Sequence, residues 1–122
     1  MSDLPPFELG YARTELRRRL VEAALAGRKT ATAGLAESDQ PEDKPGRRYA
    51  LLGYDDQPVG VVELTEARVV PASEVDEHFA RDEGEGFESL EDWRVAHERF
   101  IEQPIERDRP IEAVRFRLVE DG

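Results

Sequence analysis

Between residues 14 and 27 the apolar positions recur at helical intervals. Leu16, Leu20, Ala23 and Ala24 fall on one stripe, while Arg17, Arg18 and Arg19 pass across the outer face. Thr14 and Glu15 supply an N-cap and a first turn, and Gly27 stops the helix. The preceding stretch, with Pro5, Pro6 and Gly10, reads as an irregular lead-in. After Gly27 the pattern shortens. Residues 29–35, rich in small and β-branched side chains, predict a strand; 36–46 form a polar loop; Tyr49 to Tyr54 predict a second strand. Asp55-Asp56-Gln57 turn the chain into a long third strand, Pro58 to Val70. Ser73 with Asp76 predicts a capping box for a short helix through Ala80. An acidic, glycine-rich loop follows at 82–86. Ser89, with Asp92 at N3, opens a helix in which Leu90, Trp93, Ala96, His97 and Phe100 recur at spacings of three or four. Pro104 and Pro110 bracket a connection to a last strand, 111–119, with Val114, Phe116 and Leu118 on one face and Arg115 and Arg117 on the other. Strands with helices inserted between them predict an α+β fold, a small, mostly antiparallel sheet closing into a barrel.

At 122 residues, 39% of them hydrophobic, the chain is one domain's worth of sequence, 1–122, with enough core to fold without staples. The absence of cysteine excludes disulfides, thiolate metal sites and a cysteine nucleophile. No apolar run approaches the roughly 20 residues of a membrane span. The start, Met1-Ser2-Asp3-Leu4-Pro5-Pro6, is unlike a signal peptide, so the chain is expected in the cytoplasm, away from membranes. A net charge of −11 argues against a protein that coats nucleic acid, so neither long RNA nor long duplex DNA is expected as a partner. Basic residues are concentrated in the first fifty positions, so a patch near neutrality on an acidic body suits a small anionic or polar ligand. Acidic excess that merely confers solubility is the plainer alternative.

The most informative chemistry lies in Ala26-Gly27-Arg28-Lys29-Thr30-Ala31-Thr32. A corner where a helix ends and a strand begins can aim an amine and a hydroxyl into one pocket. A lysine whose pKa is lowered by burial can take a proton from a neighbouring hydroxyl, which is Ser–Lys logic with threonine substituted. Spacing alone more often marks simply a solvated edge strand.

Three blocks in order, Leu20 to Leu35, Val61-Val62-Glu63-Leu64-Thr65, and Glu83-Gly84-Glu85-Gly86 through Leu90-Glu91-Asp92-Trp93-Arg94 to His97, resemble the ASCH domain family. Gly27-x-Lys29-x-x-Thr32 is similar to its Gly-x-Lys-x-x-Thr-x-Arg signature, with Gly34 where the signature carries a basic residue. The resemblance covers about Glu8 to Val119. It implies a PUA-like β-barrel with a cleft between barrel and helices, and an association with RNA. One branch of the family hydrolyses the acetamide of N4-acetylcytidine; another member is described as a ribonuclease. Carried over from the amidohydrolase branch, the catalytic residues are Lys29, Thr32 and Glu83, with Asp82 and Glu85 as neighbours that one gap would exchange for Glu83. Thr32 would attack the acetyl carbonyl, Lys29 accept its proton, and Glu83 orient Lys29 or serve the leaving amine. An ion pair with Lys29 is the structural alternative for Glu83.

Arg28, Tyr49, Trp93 and His97 are candidate substrate-binding residues. Trp93 and His97, four apart on one helix, either pack against the barrel or line the cleft, where an aromatic could stack on a base. Tyr49, beside Arg47 and Arg48, could do the same from a cleft wall, a solvated strand start being the plainer reading. Two histidines without ligand-spaced partners predict no metal site, and no cofactor is expected. Three functions remain open: an amidohydrolase on an acylated nucleoside; a metal-independent ribonuclease using Lys29 with Tyr49 or His97; and a non-catalytic module recognising a nucleoside, a nucleotide or a short RNA.

Overall fold

A computed structural model describes residues 4–41, 43–87 and 89–119. Thr14 caps the first helix, α1 (Glu15–Leu25), by accepting from the Arg17 amide, and Gly27 at φ +81° lets the chain leave it. Ser89 likewise caps the second long helix (Leu90–Ile101) through the Asp92 amide. Between them lies a six-residue helix, Glu77–Asp82, preceded by a 3₁₀ turn at Ala72–Glu74. These two later helices are α2 (Glu77–Asp82) and α3 (Leu90–Ile101). The cap of α2 is Asp76, which accepts from the Phe79 amide, so the box expected to begin at Ser73 is displaced by one 3₁₀ turn.

Five strands, β1 (Pro6–Phe7), β2 (Ala31–Leu35), β3 (Arg48–Leu52), β4 (Pro58–Pro71) and β5 (Pro110–Val119), form one sheet in the order β1-β3-β4-β5-β2. All ladders are antiparallel except β1–β3. The lead-in is therefore not wholly irregular: Pro6 and Phe7 pair with Ala50 and Leu51. Among the described residues no ladder joins β1 to β2. Instead α1 packs into the sheet beside β1, where Leu20, Val21 and Ala24 meet Phe7, Leu51, Val62, Val114 and Phe116.

The other face is covered too. On β5 the period of two sends Val114 and Phe116 toward α1, and Ile111 and Ala113 toward a second core with Phe79, Ala80 and Trp93 of α2 and α3. A bulge at Thr65, between the pairs Leu64↔Phe116 and Glu66↔Arg115, lets β4 serve both cores. Leu118, expected inside, is 42% exposed, because neither core reaches the end of β5. Arg115, expected to face solvent, bonds Asp82 at 2.6 Å and lies over the Phe79 ring.

Arg17 departs most from the sequence pattern. It is wholly buried, donating to the carbonyls of Leu9, Gly10 and Gly53 and to the Asp56 carboxylate at 2.8–2.9 Å. One guanidinium thus ties the lead-in, α1 and the β3–β4 turn together.

Candidate functional site

Because β2 is an edge strand, the space beside it is not filled by another strand. A cleft of about 760 Å³ opens there, floored by the 28–33 corner and walled by α1 on one side and α3 on the other. Lys29, Thr32, Glu83 and His97 all line it, as do Glu85 and Arg28. Lys29 and Thr32 of the helix-to-strand corner thus border the same concavity.

The acidic loop reaches the corner through close backbone contact. The Thr30 amide donates to the Asp82 carbonyl at 2.8 Å. Gly84, at φ +69°, lies so near that a Cβ there would stand 2.6 Å from the Arg28 carbonyl oxygen and 2.8 Å from Lys29 Cα. Only glycine fits this place.

Lys29 is 1% exposed, and its ammonium donates to the Ala31 carbonyl at 2.9 Å, the Glu83 carbonyl at 3.1 Å and Glu85 Oε2 at 3.3 Å. Three protons thus meet three oxygens. The Glu83 carboxylate, also 1% exposed, stands 3.9 Å from the ammonium and is held elsewhere. The Trp93 indole N–H donates to its Oε2, and His97 Nε2 lies 3.3 Å from its Oε1. Glu83 is therefore the centre of a buried lysine–glutamate–histidine–tryptophan network, while Glu85 is the carboxylate that meets the ammonium at the cleft lip. Asp82 faces away, toward Arg115 and His78.

His97 Nδ1 is 2.8 Å from the Trp93 carbonyl, so that nitrogen carries a proton, and Nε2 can donate to Glu83 only as imidazolium. Burial opposes that charge; the hydrogen bond and charge of Glu83, then the Trp93 carbonyl and Glu85, outweigh it and raise the His97 pKa above its ordinary 6.5. The Glu85 carboxyl is also raised, first by burial and then by Glu83, against the opposing pull of Lys29. Two groups with displaced proton affinities therefore flank the lysine in one cleft.

Two expected substrate contacts are placed otherwise. Tyr49 is buried in the α1-side core, its ring 6.0 Å from that of Phe7, because the period of two on β3 points it inward. Trp93, 3% exposed, stacks on His97 at 4.3 Å and spends its N–H on Glu83, so its ring is packed inside the network and does not line the cleft. The aromatic rings the cleft does present are Phe87 and Phe100. The α3 periodicity places Phe100 on the helix without tying it to the cleft, and Phe87 follows a loop no pattern fixes. Gly34 is exposed, with nothing within 4 Å of where a Cβ would stand. Among the described residues no cluster of three or more acids and histidines could hold a metal, and no helix is long and apolar enough to cross a membrane.

Fold and cleft together define an α+β domain of PUA-like type. The chain belongs to the ASCH domain family, whose model matches residues 9–120. Among solved structures it is similar to an Enterococcus faecalis V583 protein of family DUF984, at 26% identity and a TM-score of 0.79 over 94% of this chain and 76% of that one. An ASCH domain from Lactobacillus crispatus JV V101 shares the fold at 21% identity, TM-score 0.77, covering 93% and 78%. The hypothetical protein PH0355 does so at 18% identity, TM-score 0.67, covering 93% and 99%. No curated protein matches the sequence.

Proposed function

We propose that the cleft belongs to an amidohydrolase that removes an acyl group from a modified nucleoside such as N4-acetylcytidine. The observation that carries this reading is that Thr32, Lys29, Glu83 and Glu85 border one cleft with His97, and that the pKa values of Glu85 and His97 are both raised. Because its ammonium is surrounded by acceptors, Lys29 must first pass a proton to Glu85, whose raised pKa suits it as receiver. The neutral amine then takes the Thr32 proton as Oγ1 attacks the acyl carbon. The C–N bond breaks as the protonated Glu85 returns its proton to the departing cytosine amine, and water hydrolyses the threonyl ester to release the acid. Glu83 holds Lys29 and His97 in place throughout.

The saturation of the ammonium also favours a second reading, a recognition module in which the same groups bind a nucleoside, a nucleotide or a short RNA without cutting it. Incubation with N4-acetylcytidine separates the two. Release of cytidine by the parent chain, reduced at least ~100-fold in Thr32→Ala and partly kept in Thr32→Ser, is the expected result. Full turnover by Thr32→Ala would sink the mechanism.

A further inference from the structure

In an acidic chain, arginines usually find carboxylates, and here Arg13, Arg17, Arg18, Arg48, Arg68, Arg81, Arg94, Arg115 and Arg117 each do. Three that line the cleft do not. Among the described residues Arg19, Arg28 and Arg99 have no ion pair and no side-chain hydrogen bond, though they come from three different segments: α1, the corner and α3. The acids of the same lining are mostly committed, Glu8 to Arg17, Glu85 to Lys29 and Glu83 to its network; Glu22 alone is without a described partner. The outer cleft therefore carries three unpaired guanidinium groups against one unpaired carboxylate, on a protein of net charge −11. Beside them Phe100, 41% exposed, stacks on Tyr11, 68% exposed, with ring centroids 5.2 Å apart and planes 25° from parallel. Two large rings left in water at the mouth of a cationic cleft form a stacking platform.

We propose that this outer part of the cleft is a nucleotide subsite, in which Arg19, Arg28 and Arg99 hold a phosphate and the Tyr11–Phe100 stack carries the adjoining base. The inference deepens the nucleoside reading of the inner cleft and rests on it: the ligand is a nucleotide or the end of an RNA strand rather than a free nucleoside. Guanidinium groups suit this role because their planar donors bind phosphate oxygens in pairs.

Equilibrium titration with cytidine, cytidine 5′-monophosphate, inorganic phosphate and the dinucleotide CpC tests it. At low salt the monophosphate should bind about tenfold more tightly than cytidine or inorganic phosphate. That margin should nearly vanish in Arg19→Ala/Arg99→Ala, whose exposed side chains carry little of the fold. Tyr11→Ala should weaken CpC about tenfold and leave the monophosphate unchanged. Equal binding of cytidine and its monophosphate, or a margin intact in the double variant, overturns the subsite. The outcomes separate the two levels. Deacylation without a phosphate margin removes the subsite alone, and an arginine-dependent margin without deacylation removes the hydrolase alone.

Discussion

A buried amine with an oxygen for each of its protons is a costly thing to unmake. Lys29→Met would leave the Glu83 and Ala31 carbonyls and the Glu85 carboxylate without their shared donor, and should cost about 3–5 kcal/mol by chemical denaturation. An unchanged denaturation midpoint would show the ammonium to be dispensable to the fold. For activity, Thr32→Ala is therefore the cleaner probe, since Thr32 is half-buried with no described side-chain bond. His97 ties stability to pH. Its folded pKa lies above the unfolded one, so the imidazolium stabilises fully below about pH 6.5 and progressively less as pH rises through the raised value. The thermal midpoint should fall across that window, and His97→Gln should flatten the fall. Glu85, also raised, acts in the same sense but lower, its cost appearing as pH climbs past 4.5. The lysine–threonine corner was legible because a glycine-terminated helix fixes where the strand begins. The choice between Glu83 and Glu85 was not, since it depends on the path of a glycine loop. Arg17 was hidden for a different reason: an arginine amid two others looks solvated until the carbonyls that turn toward it are known.

At the scale of elements the caps were the readable part. Thr14, Gly27 and Ser89 mark α1 and α3 because their side chains or φ angles settle the helix ends locally. The two-residue β1 and the bulge at Thr65 exist only through pairing with distant strands, so no local pattern announces them. Between elements the critical contact is the docking of the acidic loop on the corner. Gly84→Ala sets a methyl against the Arg28 carbonyl and strains φ, which should cost about 2–4 kcal/mol. It should also abolish ligand binding in whatever fraction still folds, because Glu83 and Glu85 ride on the same loop. Near-normal binding and stability would mean the loop can dock another way.

For the whole molecule, charge acts in two directions. Net −11 means self-repulsion, which salt screens, so raising NaCl from about 20 mM to about 500 mM should raise the thermal midpoint. Over the same range nucleotide affinity should fall, since unpaired arginines lose their advantage to counterions. A parallel fall of both would place the dominant electrostatics in ion pairs of the fold instead.

The strand order has a consequence for how the protein is made. β2, which carries Thr32 and follows Lys29, joins the sheet only through β5, and of the described strands β5 is the latest in the chain. On the ribosome α1 and β3 with β4 can assemble as they emerge, but β2 must wait, unpaired, through the synthesis of everything between. The lysine and its glutamate partners, 54 and 56 residues further on, meet beside a strand that joins the sheet only when that final strand slots between its two neighbours. A nascent chain therefore cannot complete the sheet edge that borders the cleft at any length short of β5.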